Sequence, residues 1–174
     1  MKKLLIALTM VLAFGAIAPK VFAVSYNLEA IRLYNMGLEQ YKKGAYNSAI
    51  DNFKEAIEIQ KNFYDAYYNM AIVYDFVGRT TEAANALEML LKQSPEDFSA
   101  CLKLAQIYHK KGDIDKALTF AEKIPSSAQE YDKARDLISR IATESSAKIK
   151  HKNLENTEIA AKALPEGKNI LGIN

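Results

Sequence analysis

The sequence predicts an all-α protein: a short α-solenoid of about three helix-turn-helix units closed by a C-terminal capping helix. Three observations carry this expectation. Ala, Leu, Lys, Glu and Ile dominate the 174 residues, and these are helix formers, while no alternating run of Val, Ile and Thr reads as a strand. The chain also matches itself at a shift of about 34 residues, the period of a helical-hairpin repeat. Finally, glycines and alanines recur in one register at that shift.

The first residues are read separately, because a leader is not part of a fold. Lys2 and Lys3 precede an apolar run from Leu4 to Ala18, and Val21-Phe22-Ala23 offers a signal-peptidase site. Residues 1–23 therefore read as a bacterial secretory signal cut after Ala23. The run is too short to serve comfortably as a permanent anchor. Val24 rather than Cys follows the cut, unlike a lipoprotein. Localisation is expected to be exported, periplasmic or secreted. Lys2, Lys3 and Lys20 leave with the leader, so the remaining basic residues nearly balance the 21 acids. The expected mature charge of about −1 gives no electrostatic reason for nucleic-acid binding. Apolar residues at 49 % and charged residues at 25 % indicate a packed chain rather than a disordered one. Cys101 is the single cysteine, so stability comes from packing and not from an internal disulfide. It is expected to be a buried small hydrophobe.

The repeat register assigns each shared position a task. Met36, Met70 and Leu104 correspond, each followed by a small residue, Gly37, Ala71 or Ala105, that lets paired helices approach. Gly44, Gly78 and Gly112 stand where the first helix of each unit must stop, and glycine accepts the left-handed conformation needed there. Ala49, Ala83 and Ala117 face the partner helix, and Phe53 corresponds to Leu87. Pro95 and Pro125 punctuate the units, with Lys61 in the equivalent place of the first.

This spacing resembles the tetratricopeptide repeat (TPR) family, over about Ala30 to Pro125. The resemblance implies a right-handed superhelix whose first helices line a concave, peptide-binding side. By register, that groove comprises Tyr34, Leu38 and Tyr41 of the first unit, Tyr68, Asn69, Ile72 and Phe76 of the second, and Leu102 of the third. Gln106, His109 and Lys110 continue it with polar character. One branch of the family clamps chaperone carboxylate tails. Asn69 and Lys103 fit that pattern, but Tyr34, Leu38 and Ser99 replace its other polar contacts, so that function is not expected.

A stack exposes an apolar end and needs a cap. Ser127 to Ser145 reads as that cap or, equally, as a degenerate fourth unit, with Tyr131, Ala134, Ile138 and Ile141 on one stripe and Leu137 beside it. The repeat domain with its cap is placed at 24–146. Residues 147–174 are expected to form a flexible tail, with at most a marginal helix from Asn153 to Leu164.

Catalytic chemistry is not expected. His109 and His151 have no Cys, His or carboxylate neighbours at metal-ligand spacing, and no phosphate loop or nucleophile elbow occurs. Glu55, Glu58, Glu82 and Glu88 read as solvated helix exteriors. No metal or cofactor is expected. The expected function is a non-enzymatic adaptor or assembly factor of the bacterial envelope, binding a protein or peptide partner. The alternatives are a self-associating structural subunit and, behind it, a glycan-binding protein or weak hydrolase.

Overall fold

The computed structural model describes residues 27–163, with side chains described to residue 159. The expected leader at 1–23 and the chain end from residue 164 lie outside the described residues. Among the described residues seven helices follow in order: α1 (Leu28–Lys42), α2 (Tyr46–Ile59), α3 (Tyr64–Phe76), α4 (Thr80–Gln93), α5 (Phe98–Lys111), α6 (Ile114–Glu122) and α7 (Tyr131–Ala163). No strand occurs among the described residues. The expected all-α solenoid is therefore the observed fold. The helices pair as α1–α2, α3–α4 and α5–α6, and each hairpin packs on the next.

The turns within the hairpins are set by three glycines. Gly44, Gly78 and Gly112 have φ of 78°, 81° and 79°, a region costly for any residue with a Cβ. In each, the next amide bonds back across the helix end: Ala45 to Gln40, Arg79 to Tyr74 and Asp113 to Tyr108, at 2.8–3.0 Å. These bonds satisfy carbonyls that the helix end would leave orphaned. Asn27 caps α1 through Glu29 N at 2.8 Å, and Asp97 caps α5 through Ala100 N at 2.9 Å.

Close approach inside the hairpins depends on small residues. A Cβ on Gly37 would lie 2.6 Å from the Phe53 ring, so the first pair admits only glycine without moving that ring. Ala49, Ala83 and Ala117 have no exposed surface, nor have Phe53 and Leu87. Together with Leu90, Leu104 and Ile107 they form one core that runs through all three units.

The missing proline at Lys61 leaves the chain path unchanged. Gln60 and Ser94 are equivalent, and their backbones agree at φ −134°, ψ 97° and φ −131°, ψ 79°. Where the second unit has Pro95, the first holds its linker by side chains. Buried Gln60 accepts a bond from Asn27 N at 2.7 Å, and Phe63 closes over the core. The third unit is shortened as expected, because α6 ends at Glu122 ahead of Pro125.

The cap is present, and Leu137 is its centre, buried with Ala134 and Ile141 against α5 and α6. Its length departs from the expected end near residue 146. The helix runs unbroken to Ala163, 33 residues in all, so the helical part of the expected tail is larger than Asn153 to Leu164. From Ala142 to Ile159 every side chain is exposed. Composition explains the misreading: apolar positions here form no continuous stripe, which removes the periodicity that marks a helix without removing helix-forming residues.

Candidate functional site

The first helices α1, α3 and α5 carry the expected groove residues, and the structure places them in three different situations. Tyr34 is half-buried. Its ring lies 5.7 Å from that of Phe53 and 4.9 Å from that of Phe63, so it is part of the joint between the first two units. Asn69 Nδ2 donates to the Tyr34 hydroxyl and to the Asp65 carbonyl, both at 2.9 Å. The first bond ties the Asn69 amide to the neighbouring unit and the second to its own helix, so both of its hydrogens are committed. Leu102 keeps only 7 % of its surface and forms wall rather than contact surface. Leu38 and Ile72 are half-buried on the floor.

Phe76 behaves differently. It is 62 % exposed at the end of α3, yet its ring stands 4.9 Å from Tyr46 and edge-on to Tyr41 at 6.2 Å. Tyr41 and Tyr46 are 5.8 Å apart. Three aromatic rings thus meet at the turn end of the groove, beside exposed Val77. Tyr46 escapes a register search because it starts a second helix; its position two residues after the turn glycine is the available clue.

Tyr68 marks the opposite end. It lines a hollow of about 300 Å³ with Tyr64, Asp65, Asp97 and Ser99. An adjoining hollow of about 220 Å³ continues from Tyr68 past Gln106 to Glu130 and Lys133. Ser99 Oγ donates to Glu130 Oε1 at 2.6 Å, which ties α5 to the residue preceding α7. Burial pushes the Tyr68 hydroxyl pKa up, and the carboxylates of Asp97 and Glu130 push it the same way. The start of the cap is therefore a wall of the groove. Glu130 and Lys133 lie past Pro125, where the third unit is cut short, but carrying the 34-residue shift on from Glu96 and Ser99 reaches them.

Between the two ends, Asp75 joins α3 to α5. Lys103 Nζ donates to it at 2.9 Å and Lys110 Nζ at 3.0 Å. Burial pushes the Asp75 carboxyl up, but the two lysine hydrogen bonds outweigh this and hold it below its ordinary 3.8. His109, expected to continue the groove with polar character, has its Nε2 2.8 Å from Glu144 Oε2 and so fastens α7 alongside α5. Glu88 also departs from the expected solvated exterior, because it accepts the Tyr108 hydroxyl. That hydroxyl is pushed up to about 12, first by burial and then by Glu88. Cys101 is fully buried, as expected, and burial pushes its thiol up, which keeps it an unreactive hydrophobe.

Among the described residues, no three His, Cys, Asp or Glu side chains gather as a metal site, and no helix is long and apolar enough to cross a membrane. What the first helices offer is rings, hydroxyls, carboxylates and lysines beside two adjoining hollows, a surface suited to holding a segment of another chain.

A TPR repeat model matches residues 37–75 and a tetratricopeptide repeat model matches residues 77–141. The photosystem I assembly protein Ycf3 of Cyanophora paradoxa is 31 % identical over 88 residues, 49 % of this chain and 51 % of that one. Ycf3 of Prochlorococcus marinus is 29 % identical over 112 residues, 63 % of each. The chain thus spans about half to two thirds of the length of these curated relatives. Among solved structures, MamA superposes with a TM-score of 0.62 at 24 % identity, over 76 % of this chain and 81 % of that one. The Yersinia enterocolitica type III secretion chaperone SycD, in complex with a peptide of the translocator YopD, gives 0.59 at 13 % identity, over 66 % and 92 %. These likenesses share the hairpin stack built here from its glycines and alanines, and residues 37–141 of the chain are tetratricopeptide repeats, a protein-interaction module.

Proposed function

We propose that this chain is a non-enzymatic adaptor or assembly factor of the bacterial cell envelope that holds a peptide segment of a protein partner in its concave groove. One observation carries the reading most directly: Phe76 is largely exposed on the groove side. Nothing in the hairpin core requires an aromatic there, and exposed rings of this kind often dominate binding energy. Support for assembly comes from Ycf3, whose name is that of an assembly protein. Support for peptide capture comes from SycD, a chaperone with the same fold solved with a peptide. The envelope location rests on the basic, apolar and small-residue pattern of residues 1–23.

The test has two arms. Protein recovered from the envelope should have an intact mass beginning at Val24, and recovery of the full chain from the cytoplasm would contradict export. A partner recovered by pull-down should bind Phe76→Ala or Tyr68→Ala more weakly by about 1–3 kcal/mol, with Glu58→Lys on the outer side unchanged. Unaltered affinity in both ring variants would remove the groove as the site.

A further inference from the structure

The two ends of the groove differ in chemistry, and that difference specifies what the partner must present. At the turn end, half-buried Tyr41 and Tyr46 meet exposed Phe76 in a ring cluster that suits an apolar or aromatic side chain. At the other end, Asp65, Asp97 and Glu130 surround the Tyr68 hollows. The basic residues there are Lys103 and Lys133, and Lys103 is already held by Asp75 at 2.9 Å. The balance is negative, and tyrosine faces beside carboxylates suit a cation.

Resting on the groove reading above, we propose that the partner segment is extended and carries two anchors: an apolar side chain at the ring cluster and an arginine or lysine at the Tyr68 end. Their spacing follows from the helix. Tyr68 and Phe76 are eight positions apart on α3, which at 1.5 Å per residue is about 12 Å along its axis. The ring cluster leans toward α1 and the hollows toward α5, so the path crosses α3 obliquely and lengthens by a few ångströms. Four residues of extended chain cover about 13 Å, and an arginine stem reaches the remainder. An even spacing is also required, because successive side chains of an extended segment point to opposite faces. The partner's anchors therefore stand at positions i and i+4.

Synthetic peptides on a Gly/Ser background, with one Phe and one Arg separated by two to six positions in either order, test this on the chain beginning at Val24. Fluorescence polarisation should show a maximum at a separation of four, and a loss of about tenfold when Gln replaces Arg. Asp65→Asn, Asp97→Asn and Glu130→Gln keep hydrogen-bonding shape while removing charge. They should weaken the Arg peptide and leave its Gln counterpart unchanged. Phe76→Ala should weaken both. No maximum at four, or equal binding of the Arg and Gln peptides, overturns the two-anchor proposal. If Tyr68→Ala and Phe76→Ala weaken every peptide while the amide variants are silent, the groove stands and the cation falls. If no floor variant alters any peptide's binding, the groove reading falls with it.

Discussion

Leu87 and Leu154 are the same residue on two helices of one chain, and their surroundings are opposite. Leu87 has no exposed surface, while Leu154 is 58 % exposed. The difference lies in the neighbours each helix acquires. α4 sits between α3 and α5, whereas α7 meets α5 and α6 only through its first half, as far as Glu144 on His109. A helix in water gains little from propensity alone and is held by packing of an apolar face. The repeats and the far half of α7 therefore share a backbone conformation without sharing its cause.

Truncating the ring at the centre of the first hairpin should separate the two regions most sharply. Phe53→Ala is expected to cost about 3–5 kcal/mol in denaturant melts. Leu154→Ala should stay within about 0.5 kcal/mol. A large effect of the second would mean that the far half of α7 is packed.

Overfilling should sort the regions in the same way. Ala83→Leu at a helix crossing is expected to destabilise by about 1–3 kcal/mol, while Ala147→Leu on exposed α7 should be nearly silent. At the turn, Gly78→Ala meets no neighbouring atom, so only its φ of 81° opposes it. A cost of about 1 kcal/mol in thermal melts is expected. A neutral result would show that the turn relaxes.

Electrostatics should contribute less, and only inside the stack. The Asp75 carboxyl titrates below its ordinary 3.8 when folded, so the folded state binds fewer protons than the unfolded one near that pH. Its contribution is fully present above the unfolded value and is lost as pH falls through the lowered one. Asp75→Asn should flatten the acid limb of the stability–pH curve, and an unchanged limb would place the acid sensitivity elsewhere. Backbone amides make the finest comparison. Those of α3 should exchange slowly, and those from Thr143 to Ala163 quickly, because exposed helical bonds with few apolar contacts open locally. Equal protection would join the two regions into one cooperative unit.

Most of the fold is legible in the sequence because a repeat array is nearly one-dimensional. Each unit contacts only its neighbours, so a glycine every hairpin turn and an alanine at every crossing already state the packing. The far half of α7 is illegible for the converse reason, since it packs on nothing that could impose a period. For the proposed groove, register points to the first helices but does not separate rings that pack from rings that face outward. Tyr34 and Phe76 both occupy concave positions. Phe53 and Phe63 take up the first, whereas Tyr41 and Tyr46 leave the second more than half exposed.

By itself, then, the sequence determined the hairpins, their number and their turn glycines. These depend on local conformation and on neighbours one unit away. Only the tertiary structure decided which groove residues bind their own chain and which face outward. It alone brought Tyr46 into the ring cluster and Glu130 to the Tyr68 hollow, because exposure depends on residues that approach from other helices at no fixed spacing.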